Sequence, residues 1–263
     1  MNTTMWIKAL RIIPRLSREE WAKLDVISRW LVATRSAVII MTFTSAAIGG
    51  MLAFRDAPQA FNWGRWILAA LGLVFAHATN NMVNDLTDFK RGVDQNNYYR
   101  TLYGPQPVQQ GLMSQRELLV YIAITGLIAV AAGIPLVMFG GLPALLLMLF
   151  GIFFVLFYTF PLKYIAMGEI AVLLIWGPLM VVGTYYVSSG VSDWATLFKV
   201  ALASLPYGLG ATAVIFGKHI DKLEQDKAKK IYTLPVVIGE RAGRWVVRGM
   251  FALMYLLPLY LVI

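Results

Sequence analysis

The chain has 263 residues, 59% hydrophobic and 14% charged, with a formal net charge of +9 and no cysteine. A soluble domain carries about 25% charged residues, so this composition excludes an ordinary soluble enzyme and points to a polytopic membrane protein. The missing cysteines exclude disulfides, a thiolate nucleophile and a cysteine metal site, and the excess of Lys and Arg reads as a topology signal rather than a nucleic-acid footprint.

Residues 1–29 read as an N-terminal basic amphipathic segment. Trp6, Ile7, Leu10, Ile13 and Leu16 recur roughly every third residue among Lys8, Arg11, Arg15, Arg18, Lys23 and Arg29, a pattern that suits a helix lying on an anionic membrane surface. Residues 30–263 read as one all-α transmembrane domain. Apolar runs, each able to cross roughly 30 Å of hydrocarbon, predict seven spans at 30–53, 66–84, 118–138, 141–160, 167–188, 196–216 and 245–263. The connections after spans two, four and six collect the cations, among them Lys90, Arg91, Arg100, Lys163, Lys218, Lys222 and Lys229. The opposite connections hold Arg55 and Arg65, with Lys199 opening span six. This bias assigns the N-terminus and the loops after spans two, four and six to the cytoplasm. The sequence stops inside the apolar run LLPLYLVI, which leaves the domain either ending flush with the outer interface or incomplete at its C-terminus.

Two acidic clusters fall on that same face. The first is NDLTDFKRGVD, residues 84–94. Asn81, Asp85 and Asp88 are spaced i, i+4, i+7, and Asn84 and Asp88 i, i+4, which sets an amide and two carboxylates on one helix face. Asp94 follows Gly92, a residue that releases a helix into a loop. Oxygen donors in this pattern suit Mg²⁺, which is usually held by one or two carboxylates together with substrate phosphates and water. The second cluster is DKLEQD, residues 221–226. Asp221 and Glu224 share a helix face, while Asp226 stands about 140° from Asp221 on an ideal helix and joins it only where the helix ends or bulges. Lys218, Lys222, Lys227, Lys229 and Lys230 form a basic fringe suited to phosphate oxygens.

Two acidic walls on one face of a helix bundle suit the ionisation of an allylic diphosphate. Metal ions and cationic side chains stabilise the departing pyrophosphate, and a dry chamber protects the allylic cation from water. Ion or proton transport is the competing reading, but the acids gather at one interface; Glu169 stands near the start of span five, and His77 is the sole ionisable group inside span two. That histidine reads as a packed, hydrogen-bonded side chain rather than a relay.

These residues resemble the UbiA superfamily of intramembrane prenyltransferases. NDLTDFKRGVD is similar to its first aspartate motif, and DKLEQDKAKKIYTLPVVIGE, from Asp221 to Glu240, to its second motif with the segment that follows. YTFPLK, from Tyr158 to Lys163, resembles the element after the fourth helix. GPLMVVGTYYV, from Gly177 to Val187, resembles the fifth helix of the branch that prenylates dihydroxynaphthoate on the way to menaquinone. The resemblance implies a membrane helix bundle that binds Mg²⁺ and an isoprenyl diphosphate and passes the allyl group to an aromatic acceptor such as 1,4-dihydroxy-2-naphthoate. It implies a first wall of Asn84, Asp85, Asp88 and Asp94 and a second of Asp221 and Asp226. It makes Arg35, Lys163 and Lys222 candidates for phosphate oxygens, and Tyr158 and Tyr185 candidates for the chamber lining. Three departures accompany it. Asp221 and Asp226 are five apart where the family spaces its aspartates by four, with Lys222 where the first acid might fall; Gly217 and Lys218 stand where an asparagine is usual; and seven spans are present of a usual nine. The altered second motif keeps a terpene cyclase of the same fold open, and a non-enzymatic transporter or lipid-binding protein is the further alternative. These motifs are silent on oligomeric state.

Overall fold

A computed structural model describes residues 2–93 and 104–262. Three short helices come first: α1 (Thr3–Arg11), α2 (Arg18–Ala22) and α3 (Val26–Ala33). Each starts at a residue whose side chain accepts a backbone N–H, namely Asn2, Ser17 and Asp25, the role that short polar residues fill at helix N-termini. Asp25 also accepts from the Asn2 N–H and the Trp6 indole, which ties α1 to α3; these hydrogen bonds, the Ser28 N–H foremost, hold its carboxyl far below the usual range. The segment packs on the bundle rather than standing off it. Ala9, Trp21 and Leu31 share one apolar core with Met82, Leu86, Met113 and Leu118.

The bundle follows. Its members are α4 (Ile40–Asp56), α5 (Trp63–Lys90), α6 (Gln115–Phe157), α7 (Gly168–Ser189) and α8 (Trp194–Asp221). These account for the five helices, among the described residues, that are long and apolar enough to cross a membrane. Two short helices, α9 (Leu223–Ala228) and α10 (Leu234–Ile238), lead into α11 (Glu240–Val262). Among the described residues the single strand-like contact is a parallel bridge between Ile165 and Tyr232. The all-α expectation holds.

The predicted spans map onto these helices with two differences. Spans 118–138 and 141–160 are the legs of one element, α6. A straight helix of its 43 residues would be about 65 Å long, twice the hydrocarbon thickness. Gly141 breaks it with φ 59° and ψ −144°, a conformation open essentially to glycine alone. The legs fold back on each other: a Cβ on Gly133 would lie 2.9 Å from the Met148 sulfur. The last predicted span, 245–263, lies in α11, which is not among the five found among the described residues, and that span runs on past them.

Small residues bring α4 close to its neighbours. Ser45, Ala46, Gly49, Gly50 and Ala53 form its buried stripe. A Cβ on Gly49 would stand 2.5 Å from the Val181 carbonyl oxygen, so α4 and α7 approach to backbone contact, the association mode small residues allow in membranes. The Trp66 indole fills the space beside Gly50 and donates to the Ala46 carbonyl at 3.0 Å. Helix α7 is not regular: it widens to a π turn over Ile175–Leu179, where Gly177 leaves helical torsion and Pro178 supplies no N–H.

Candidate active site

The end of α5 carries the first cluster, and its two i, i+4 pairs hold two different neighbours. The Asn81 amide donates to the Thr34 carbonyl at 2.8 Å, and Asp85 accepts from the Arg35 guanidinium. Arg35 is in the left-handed region, φ 53° and ψ 50°, at the bend between α3 and α4, where the Thr34 and Ser36 hydroxyls meet at 2.8 Å. One turn on, the Asn84 amide donates to the Thr159 hydroxyl at 2.9 Å, and Asp88 accepts from the Lys163 ammonium at 2.9 and 3.2 Å. Thr159 and Lys163 belong to the tight turn after α6. All four charged groups are buried, with Asp88 1% and Asp85 4% exposed. An i, i+4 amide–carboxylate pair therefore anchors each of two cation-bearing turns. Asp94 lies outside the described residues.

The second cluster begins where α8 ends. Lys222 leaves helical torsion, at φ −107° and ψ 12°, and α9 starts one residue later. This break meets the condition that lets Asp221 and Asp226 escape ideal helix spacing, but the two differ in environment. Asp221 and Glu224 are exposed; Lys222 and Asp226 are buried, with Nζ 3.6 Å from Oδ2. Beside them His219 Nδ1 lies 2.5 Å from Glu169 Oε1, and the Glu169 carboxylate also accepts the Leu234 N–H at 3.3 Å.

 Glu169 thereby joins the start of α7, the end of α8 and the start of α10.

Two contacts bring the clusters to one place. The Lys229 ammonium donates to the carbonyls of Val93, at 2.5 Å, and Gly92, at 3.3 Å, clasping the loop after the first cluster to the segment after the second. Tyr158 lies within electrostatic reach of both Glu169 and Asp88. Among the described residues no three His, Asp or Glu side chains form a ready-made metal cage. The first-wall donors are oxygens only, two carboxylates and an amide, a set that fits a hard cation completed by substrate and water.

Below this charged end lies an apolar cavity of about 620 Å³, walled by α5, both legs of α6, and α7. Its lining runs along α5 from Leu68 to Asn80, about 18 Å at the helical rise. Phe154, Tyr158, Trp176 and His77 are its aromatic members. His77 is hydrogen-bonded to the Thr42 hydroxyl at 2.7 Å and meets Trp176 edge-on, in keeping with a packed histidine. Tyr185 is a correction to the sequence reading. Thr184 lines the chamber, and the next residue points about 100° away, so Tyr185 faces a separate pocket at the opposite end of the bundle. There its hydroxyl lies 3.3 Å from Asp56 Oδ2.

Sequence reasoning missed His219, Thr159 and Trp176. His219 stands two residues before Asp221, inside the cationic fringe, and Trp176 immediately precedes the quoted Gly177–Val187 stretch; both signals were present but carried no pairing information.

Comparison with known proteins gives one consistent outcome. The model of the UbiA prenyltransferase family matches residues 39–263. The UbiA prenyltransferase domain-containing protein 1 homolog of Drosophila melanogaster is 27% identical over 223 residues, which cover 81% of this chain and 59% of that protein. The chain thus spans about three fifths of that relative's length. The 1,4-dihydroxy-2-naphthoate octaprenyltransferase of Haemophilus influenzae is 27% identical over 234 residues, 84% of this chain and 72% of that one. A UbiA homolog from Archaeoglobus fulgidus bound to GPP and Mg²⁺ superposes with a TM-score of 0.62 at 20% identity, over 88% of this chain and 77% of that one.

Proposed function

The chain belongs to the UbiA prenyltransferase family, and on that premise we propose that it transfers an isoprenyl group from an isoprenyl diphosphate to an aromatic acceptor of the quinone-precursor class, such as 1,4-dihydroxy-2-naphthoate. The observation that carries the reading is the pair of buried ion pairs, Arg35–Asp85 and Lys163–Asp88, at the head of an apolar cavity. Such a site has acceptor groups for a metal, donor groups for a diphosphate and a dry space for a hydrocarbon tail. The Archaeoglobus protein's GPP and Mg²⁺ and the Haemophilus protein's naphthoate substrate support the same reading.

Mg²⁺ held by Asp85 and Asp88, with Asn84, Asp94, Asp221 and Asp226 as further candidates, would neutralise charge on the departing pyrophosphate. Arg35 and Lys163 turn from their carboxylates to the phosphate oxygens, charge-assisted hydrogen bonds stronger than neutral ones. The isoprenyl tail lies between α5, α6 and α7, where little water competes for the allylic cation. The faces of Trp176 and Tyr158 stabilise positive charge developing near them. By the Lys and Arg bias, the charged end faces the cytoplasm.

The test is pyrophosphate release by the purified protein in lipid, with geranyl, farnesyl and longer isoprenyl diphosphates, with and without Mg²⁺ and dihydroxynaphthoate. Release requiring both metal and acceptor is the expected result. Metal-dependent release without acceptor would replace transfer by cyclisation, and no release with any substrate would overturn the enzymatic reading.

A further inference from the structure

Resting on the prenyl-transfer reading, we propose that Glu169 is a positioning residue: its carboxylate clamps both ends of the second-wall segment to the start of α7, and so sets the spacing between the two walls that a diphosphate bridges. Glu169 is 1% exposed and belongs to the first turn of α7. An acidic residue is almost never buried unless paired, and this one has partners on two other elements. His219 Nδ1, at the end of α8, lies 2.5 Å from Oε1. The Leu234 N–H, at the start of α10, donates to Oε1 and Oε2, each at 3.3 Å. His219 and Leu234 bracket residues 220–233, which hold both second-wall aspartates. One carboxylate therefore fixes the entry and the exit of that segment.

Local capping does not supply this attachment. Thr233 precedes α10 but makes no side-chain cap bond, and its buried hydroxyl has no hydrogen-bond partner. Pro235 has no N–H to offer, and Glu169, 65 residues away in sequence, takes the Leu234 N–H instead. The same turn of α7 also locates a cation of the first wall. A Cβ on Gly168 would lie 3.3 Å from Lys163 Cα, so the α7 backbone abuts the turn that bears Lys163, the partner of Asp88. Ile165, two residues on, bridges to Tyr232 in the second-wall segment. Tyr158 lies within electrostatic reach of Glu169, and Asp226 within that of His219. Neither Glu169 nor His219 lines the cavity, so their effect on the reaction runs through the groups they hold. Bonds to a charged carboxylate are stronger than neutral ones, and a wall ordered in advance spares the ligand the cost of ordering it.

The experiment separates positioning from stability. Wild type and Glu169→Ala are placed in lipid nanodiscs, and binding of a non-hydrolysable farnesyl thiolodiphosphate with Mg²⁺ is measured on the monodisperse, folded fraction alone. In that fraction Glu169→Ala should bind the analogue about 10–100-fold more weakly, the range for partners that orient metal ligands from behind. A residue that only stabilises the fold would lower the yield and leave this affinity unchanged. Nitroxides on cysteines replacing exposed Lys90 and Glu224 report the spacing directly, since the chain has no native cysteine. Without ligand, double electron–electron resonance should give one narrow distance with Glu169 in place and a broad distribution in Glu169→Ala. Leu234→Pro is the second variant. It removes the N–H that Glu169 accepts, at the first position of a helix, which proline suits, and the same two changes are expected. Unchanged affinity or an unchanged distance distribution in Glu169→Ala, or in Leu234→Pro should Glu169→Ala fail to fold, overturns the proposal. Mg²⁺-dependent pyrophosphate release by the wild type would then leave the prenyl-transfer reading intact. A wild type that neither binds the thiolodiphosphate nor releases pyrophosphate would overturn both.

Discussion

Asp88 illustrates how one residue serves stability and chemistry together. It is the counter-charge of buried Lys163 and, on the proposed reading, a metal ligand. Asp88→Asn should lower turnover by about 100-fold or more, the upper range for damage to a metal shell. It should also destabilise the protein, because removing one partner of a buried ion pair costs about 3–5 kcal/mol. Adding Lys163→Met should recover much of the melting temperature while leaving turnover low. Thermal melts and pyrophosphate release on the single and double variants separate the effects, and full turnover in Asp88→Asn would remove Asp88 from the metal site. The spacing of Asn81, Asn84, Asp85 and Asp88 was legible in the sequence, because helical periodicity alone sets which residues share a face. Their partners were not. Arg35 reaches Asp85 through a left-handed turn, and Lys163 reaches Asp88 from 75 residues away.

At the scale of the element, packing of helix backbones sets the chamber's shape. Gly49→Ala puts a methyl 2.5 Å from the Val181 carbonyl oxygen, an atom that only a shift of α7 can move. The expected cost is about 1–3 kcal/mol, as for other overpacked cores, with a lower melting temperature and reduced turnover since α7 lines the cavity. An unchanged melting temperature would show that α4 and α7 slide apart freely. Long apolar runs made these helices readable from composition. The fold-back of α6 was readable as two spans, whereas the break at Lys222 was not, since no Gly or Pro marks it.

For the whole molecule, charge bias and fold agree on a polarity: the acidic clusters lie at one end of the bundle, with Asp56, Tyr185 and Trp194 at the other. The chain has no native cysteine, so single cysteines report sidedness without background. A cysteine replacing exposed Glu224 should react with a membrane-impermeant maleimide only in inside-out vesicles, and one replacing exposed Trp194 only in right-side-out vesicles. The reverse pattern would invert the orientation.

The self-neutralised ion pairs have a thermodynamic consequence. While Arg35 and Lys163 hold Asp85 and Asp88, neither the anionic groups nor the cationic ones are fully available to an arriving ligand. Whichever of metal and diphosphate comes first must part these pairs, and the other then meets groups already released. The two ligands are therefore heterotropically coupled, and linkage makes that coupling reciprocal. Calorimetry should find that Mg²⁺ tightens an isoprenyl diphosphate analogue, and the analogue Mg²⁺, by one common factor on the order of 5–150-fold; independent affinities would mean that the pairs stay closed. A resting site of this kind presents little net charge to other ions and admits its two ligands most readily as a complex.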